Sequence, residues 1–507
     1  MIKEGVSMEE KNTENFSDEN KVVRVKLVRH RWPDEIAARR KKQRQIMGTI
    51  LACALFFTAG FALSSFVQPG NSGMSASSNK MNTVYEVMKE LWYFGKDMDD
   101  LENTLLDGAI NGLVDSGGDP HTMYMDAELM NRFISNLEGS FEGVGIQYFP
   151  TSDRAVITRI IKNSPAEAAG LLAGDAILKI NNQSVEGKTS TEIKSMITES
   201  ESKDVVLVLD RSGEEMDVTL TRAEIENSAY GYVLDHVGIL EISSFAETTA
   251  HEVGLYLEEF AAQGINKLII DLRDNTGGYL VSVVDTASYF LPDDTVILKQ
   301  EDRAGEITEY KTKSNIHNYD FDSIALLVNE NTASAAEVLT AALKEQKDVD
   351  VIGKLTYGKG TVQQSIPFRD GSAIKYTVAQ WLTPKDNKIN GVGITPDYDV
   401  DLPKALSISY YEDDTVYEVD SVAQNVQSAQ YYLQFNGYSV DRTDGYFSEA
   451  TRQAILAFQR DNDLTETGVI DTELLVRLFS ATTYTWFENK TELDTQLVKA
   501  MEVVNGR

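Results

Sequence analysis

The spacing of apolar positions changes character along the chain, and each change marks a segment. Ile46 to Val67 (IMGTILACALFFTAGFALSSFV) carries no charge over 22 residues. At about 1.5 Å per residue a helix of that length spans roughly 33 Å, enough to cross a bilayer core of about 30 Å. From Met81 to Glu138 apolar residues recur at helical spacing (Val84, Val87, Met88, Leu91), with a break at Gly117-Gly118-Asp119-Pro120. That periodicity predicts helices used in core or dimer packing. From Gly139 to about Ile225 the texture turns to short strands: GVGIQYF, AVITRII, AILKIN and DVVLVLDR. Asn266 to Leu272 (NKLIIDL) and Ile324 to Val328 read as buried strands, each followed by a helical run, from Val281 and from Ser334. A further β-like run covers Val349 to Ile352. Strands alternating with helices predict right-handed crossovers in a parallel sheet, whose strand carboxyl ends share one ligand-binding edge. The last periodic stretch, Val422 to Phe479, is helical in three pieces separated by turn residues.

These shifts divide the 507 residues into nine segments. They are a tail (1–45), a membrane span (46–67), a linker (68–80), a helical segment (81–138), a β-domain (139–225), an α/β core (226–404), a connector (405–420), a three-helix module (421–480) and a C-terminal tail (481–507). The net charge is −32, unevenly spread: the first 46 residues carry 12 basic and 8 acidic side chains, the remainder 35 and 71. A body this acidic is a poor partner for nucleic acid and is repelled by anionic lipid. Arg39-Arg40-Lys41-Lys42 and Arg44 directly precede the span, which predicts a cytoplasmic amino end and an extracytoplasmic body on a single-pass anchor. The apolar run is long for a cleaved signal peptide, so the anchor is expected to stay. Cys53 is the only cysteine and lies inside the span, so the body cannot form a disulfide.

Candidate chemistry concentrates between Asn329 and Gln363. Ser334 stands at a helix entrance, and Lys359 is fenced by Gly358 and Gly360. A small nucleophile and such a lysine are the parts of a serine–lysine hydrolase. Ser334-Ala335-Ala336-Glu337 is equally a capping box, in which the serine oxygen accepts a helical N–H and the glutamate reaches back. A cap needs no lysine, whereas a catalytic serine needs a base. Lysine is a base only when neutral, and lowering its pKa from about 10.4 to 7–8 takes roughly 4 kcal/mol. Burial supplies that, and no acidic residue lies within four positions of Lys359 to oppose it. If the segment is a strand, Lys359, Thr361 and Gln363 share a face, with the Gln363 amide beside the ammonium. The flanking glycines would leave room for an incoming chain. Lys354 is the nearest rival base but lacks that partner.

A second loop, Arg273-Asp274-Asn275-Thr276-Gly277-Gly278, follows the first buried strand. The Gly277 and Gly278 amides could converge with that of Ala335 as an oxyanion hole, or the glycines could serve only a tight strand-to-helix turn. Five histidines, none in an HExxH pattern, and a lone cysteine disfavour zinc and thiol chemistry, so no metal or cofactor is expected. A triad through His236 or His251 stays open.

The run Ser164-Pro165-Ala166-Glu167-Ala168-Ala169-Gly170-Leu171, then Gly174-Asp175, resembles a PDZ domain. Gly143-Val144-Gly145-Ile146 stands where that family keeps its carboxylate-binding loop. Consecutive backbone amides make an anion nest, and the strand edge after it can accept an extended peptide. With GDPHT (Gly118–Thr122), DLRDNTGG (Asp271–Gly278), NTASAAEV (Asn331–Val338), YGKGTVQ (Tyr357–Gln363) and GVGITPD (Gly391–Asp397), the stretch from Met81 to Lys404 resembles the carboxyl-terminal processing (tail-specific) peptidases. The resemblance implies Ser334 as nucleophile, Lys359 as general base, Gln363 as the residue that orients it, and the Gly277/Gly278 and Ala335 amides as oxyanion donors. It implies protein substrates with free C-terminal tails, held by the PDZ loop, and a homodimer. Thr276 stands where the family usually has proline, and Asn387 where it usually has the glycine of TPxG. Val422 to Phe479 resembles a peptidoglycan-binding module, through Leu433, Gly437-Tyr438, Asp444-Gly445-Tyr446-Phe447, Phe458-Gln459, Gly468 and Asp471. The expectation is a multidomain α/β serine peptidase with an inserted PDZ domain, anchored in the membrane and attached to the wall. The competing reading is a wall-anchored PDZ scaffold with an inert core. A wall-cutting hydrolase would need paired carboxylates that are not evident.

Overall fold

The computed structural model describes residues 76–506, except Ser152, Ser200, Glu201, Ser212 and Glu412. The expected membrane span lies outside the described residues, among which no helix is long and apolar enough to cross a membrane. The chain forms two units that meet at Leu101 and Glu102. The first holds α1 (Ala76–Glu90) and a 3-10 turn (Tyr93–Asp97), so the last residues of the expected linker are helical. Val84, Val87 and Leu91 of this unit are exposed, so among the described residues they build no core.

The second unit begins one residue into α2 (Leu101–Asp115), followed by the short strand β1 (Met123–Met125) and α3 (Ala127–Glu138). The strand was hidden in a segment whose pattern reads as helix. Asp126 caps α3 by accepting the Leu129 N–H at 2.7 Å, and Gly139 ends it at φ 74°. The β-domain hangs on a two-stranded stem, β2 (Ser140–Gly143) against β9 (Ala223–Glu226). Its sheet runs β3 (Ile146–Pro150), β4 (Ala155–Ile160), β5 (Ala176–Ile180), β7 (Asp204–Arg211), β8 (Glu214–Thr221), with β6 (Gln183–Ser184) on β5. Two helices, α4 (Pro165–Ala168) and α5 (Ser190–Thr198), close its core. Strand β3 is an edge: its only sheet partner among the described residues is β4.

The α/β core is the six-stranded sheet β10 (Ala229–Leu234), β11 (Val237–Ile242), β12 (Lys267–Asp271), β15 (Ser323–Val328), β16 (Asp350–Gly353), β19 (Tyr398–Asp399). All neighbours are parallel except β10 with β11. Crossover helices α6 (Thr249–Ala262), α7 (Leu280–Ser288) and α8 (Ala335–Lys347) bury one face, taking Leu268, Ile270, Leu326 and Val328. The alternate residues Ile269, Ala325 and Leu327 point the other way. A sheet with both faces apolar needs a second layer. A second sheet stands beside the first: β17 (Thr361–Pro367) lies along one edge of β18 (Ala373–Leu382), with β13 (Val296–Asp302), its partner β14 (Ile307–Lys311), and β1 also paired in it.

The C-terminal region departs from expectation twice. The module of α9 (Gln424–Phe435), α10 (Glu449–Asp461) and α11 (Thr472–Glu488) takes Ala405, Ile408, Tyr410 and Tyr417 into its core, so 405–420 is part of it rather than a connector. Tyr417 and Ile470 exchange backbone hydrogen bonds at 2.8 and 3.0 Å. Nor is 481–507 a tail. After the short α12 (Lys490–Leu493), α13 (Thr495–Gly506) places Leu497, Ala500 and Val504 on the uncovered sheet face, against Val237, Ile239, Ile269 and Leu327.

Candidate active site

Three loops leave the carboxyl ends of adjacent parallel strands: 272–279 after β12, 329–334 after β15 and 354–360 after β16. The sheet therefore delivers the glycine pair, Ser334 and Lys359 to one edge. Asn275, wholly buried, ties the first two loops together. Its side chain donates to Ile242 O at 2.8 Å and accepts the Gly277 N–H at 2.9 Å, and its carbonyl accepts the Ala333 N–H at 2.9 Å. A Cβ on Gly277 would stand 2.7 Å from Ser334 Cβ and 3.0 Å from the Ala335 nitrogen, so only glycine admits this approach. Gly278 lies across the Phe245 backbone, where a Cβ would meet the carbonyl oxygen at 2.1 Å.

The expected oxyanion donors separate here. The Gly277 N–H is spent on Asn275, which removes it from the set. No acceptor among the described residues takes the Gly278 or Ala335 N–H.

Ser334 has φ 56° and ψ −118°, a conformation that a side chain resists and that the surrounding bonds must hold. Glu337 supplies much of that hold. Wholly buried at the third position of α8, its carboxylate accepts the Ser334 N–H at 2.9 Å, as half of a capping box does. It also accepts the Thr356 hydroxyl at 2.5 Å, the Gly358 N–H at 2.7 Å and the Lys359 N–H at 2.8 Å. Cap and site are therefore one device: the same carboxylate fixes the serine's backbone and the lysine's. Trp381 Nε1 donates to Lys359 O at 2.9 Å, so both sides of that residue are tied.

The two lysines of this loop are in opposite states. Lys354 bridges Asp399 at 2.6 Å and Asp401 at 2.8 Å, and those bonds raise its pKa. The Lys359 amine has no hydrogen bond or ion pair among the described residues. Burial lowers its pKa and the Lys375 charge adds to that, against smaller opposition from Glu337 and Asp119. His121 of the GDPHT loop lies in the same neighbourhood; burial, then Lys359, lower its pKa while Asp119 opposes.

Two sequence expectations need correction. Lys359 precedes β17 rather than lying in it, and Gln363 does not bond to it. The Gln363 Nε2 donates to Thr361 Oγ1 at 2.8 Å and Thr377 Oγ1 at 3.3 Å, and no donor among the described residues takes up Oε1. Nor do Gly358 and Gly360 leave space for a substrate. The turn at 389–393 fills it: a Cβ on Gly358 would meet Gly393 N at 2.8 Å, and one on Gly360 would meet Asn390 N at 2.4 Å. In the Thr383–Asn387 turn the left-handed residue is Asp386 (φ 65°), not Asn387, so Asp386 holds the glycine-like position. Glu337 and Asn275 were visible only as a cap and a turn residue; Trp381 had no signal.

In the β-domain, Gly145 packs against Ser164, and Val144 is buried with its carbonyl accepting the Ala166 N–H at 2.9 Å. Gly143 closes β2, and Ile146 opens the edge strand β3.

Parallel-strand loops bring a strained serine and a half-buried amine, unpaired among the described residues, to one edge of an α/β core that carries a separate β-domain and a helical module. Comparison with known proteins makes the class specific. Residues 236–400 match the model of peptidase family S41, 156–211 a PDZ domain, 422–478 a putative peptidoglycan binding domain, and 63–129 the N-terminal domain of the activating protease CtpB. A probable CtpA-like serine protease of Staphylococcus aureus (strain MSSA476) is 33% identical over 436 residues, covering 84% of this chain and 86% of its own. The Staphylococcus epidermidis (strain ATCC 12228) counterpart is 32% identical over 429 residues, with the same coverage. The photosystem II D1 C-terminal processing protease, a solved structure, is 24% identical at a TM-score of 0.38, over 65% of this chain and 94% of its own. The chain belongs to peptidase family S41 and is a serine peptidase of the CtpA-like kind.

Proposed function

We propose that this peptidase cleaves protein substrates near their carboxyl termini through a Ser334–Lys359 dyad. The supporting observation is the half-buried Lys359 amine, without a carboxylate partner among the described residues, its backbone tied to the same Glu337 that holds Ser334. The neutral amine takes the Ser334 hydroxyl proton as the oxygen attacks the peptide carbonyl, and the Gly278 and Ala335 N–H groups receive the developing oxyanion. The lysine then gives the proton to the leaving amine. Water, deprotonated by the same amine, hydrolyses the acyl-enzyme. Gln363 Oε1 is the acceptor that steadies the protonated lysine. The substrate's free tail enters along β3, with its carboxylate at the Gly143–Ile146 loop.

The helical module attaches the enzyme to peptidoglycan, residues 46–67 anchor it in the membrane with the body outside, and the exposed apolar residues of α1 meet a second copy. Ser334→Ala abolishes cleavage of an unstructured tail and labelling by a serine-directed acylating probe while tail binding persists. Cleavage by that variant at the parental rate overturns the assignment, and an unlabelled parent favours the inert scaffold.

A further inference from the structure

The face of β17 and β18 that begins beside Lys359 is a polar track with one cation at its far end. Thr361, Gln363 and Ser365 lie on one side of β17, as the Gln363–Thr361 bond requires. The register sets Gln363 opposite Thr377 and Ser365 opposite Lys375, so those side chains share that face. One irregularity makes this possible: the pairing skips Val378, between Val362–Ala379 and Gln363–Thr377. Without it, Lys375 would fall on the opposite face. The Thr377 N–H donates to Thr122 Oγ1 at 3.1 Å, which docks the His121 loop on the same row.

Lys375 is half-buried, and its ammonium lies 5.1 Å from the centre of the Phe133 ring of α3. No described carboxylate pairs with it. Its charge acts on Lys359 from the 354–360 loop and on His121 from the loop before β1; Asp119 opposes it at both, and Glu337 of α8 opposes it at Lys359. A half-buried cation gives up part of its hydration, and no carboxylate here compensates for it.

We propose that Lys375 is a positioning residue for the peptidase reaction: held over Phe133 on the Gln363 face, its charge keeps the Lys359 amine unprotonated between turnovers. This rests on Lys359 being the base. Like charges in a shared low-dielectric site disfavour each other, so with Lys375 charged the proton is excluded from its neighbour. Burial is the first cause of the lowered pKa at Lys359 and at His121, and the Lys375 charge adds to it at both.

The test is the rate of acylation by a fluorophosphonate probe from pH 6 to 10, on the full chain. Lys375→Met keeps the stem over Phe133 and removes the charge. Its acid limb moves to higher pH by roughly half to one unit, so labelling there is about three- to tenfold slower, while the alkaline plateau stays parental. Lys375→Arg restores the parental curve. The shift persists in a His121→Asn background, because the limb belongs to Lys359. A limb that does not move, or a plateau lowered at every pH with the limb in place, overturns the proposal. Lys359→Met separates the two readings: if it labels at the parental rate, the dyad itself falls, whereas an inactive Lys359→Met with an unmoved Lys375→Met limb sinks only the role of Lys375.

Discussion

Replacing Glu337 by glutamine tests whether one buried carboxylate sets the geometry between the serine and lysine loops. Its Oε2 accepts the Ser334 and Lys359 N–H groups, and its Oε1 accepts the Thr356 hydroxyl and the Gly358 N–H. Glutamine offers one acceptor oxygen and one NH2. With the oxygen in the Oε2 place, the NH2 meets Thr356, whose hydroxyl can turn to accept, and Gly358, whose N–H cannot. One orphaned buried N–H costs about 1–3 kcal/mol, and the bonds that remain lose their charge assistance at about 1 kcal/mol each. The neutral amide is cheaper to bury, which brings the net loss to about 2–4 kcal/mol. Hydrogen exchange at residues 354–363 should then accelerate between about thirtyfold and about a thousandfold, at 1.36 kcal/mol per decade. Probe labelling should fall about a hundredfold if the loops part by about 1 Å. Parental exchange in that segment together with parental labelling would refute the reasoning, because no other described side chain bonds to both loops' active residues.

Asp494→Ala should destabilise by about 3 kcal/mol, the low end for breaking a buried pair, since Arg273 keeps Asp271. Asp494 is wholly buried, holds Arg273 and caps α13 through the Leu497 N–H at 2.9 Å; an unchanged thermal midpoint would count against this. Truncation after Ala481 should give an aggregating or protease-sensitive chain rather than a trimmed enzyme. Leu497 and Val504 are each worth about 1.5–3 kcal/mol of burial, and their loss bares the sheet, so a soluble, active truncation would contradict the fold.

Sequence pattern carried the strand–helix alternation well, because both faces of β12 and β15 are apolar and their lengths fit strands. It singled out the Ser334 and Lys359 segments, which the parallel sheet brings to one edge. Glu337 showed only its local role, since its other partners lie 19 to 22 positions on and meet it only once β16 has paired. The Val378 irregularity had no signal: Ala379 and Val378 are ordinary strand residues, yet skipping one turns Lys375 from one face to the other. The use of Leu497, Ala500 and Val504 needed knowledge that a sheet face was bare, which no local pattern holds.

That last element changes how the parts relate. The helical module is not appended to the peptidase core but inserted in it, between β19, which pairs with β16, and α13, which covers the same sheet. At the second junction Asp494 grips Arg273, whose second carboxylate partner, Asp271, ends β12 directly before the loop that carries Asn275, Gly277 and Gly278. Nearby, Glu241 of β11 joins Arg159 of the β-domain and Lys490 of α12, the latter at 2.8 Å, beside a cavity of about 450 Å³ lined by both. Phe149 of the edge strand meets Tyr484 of α11 with ring centres 5.8 Å apart. The edge strand β3, the 272–279 loop and the helical module are thus joined through a few buried charges and one ring pair.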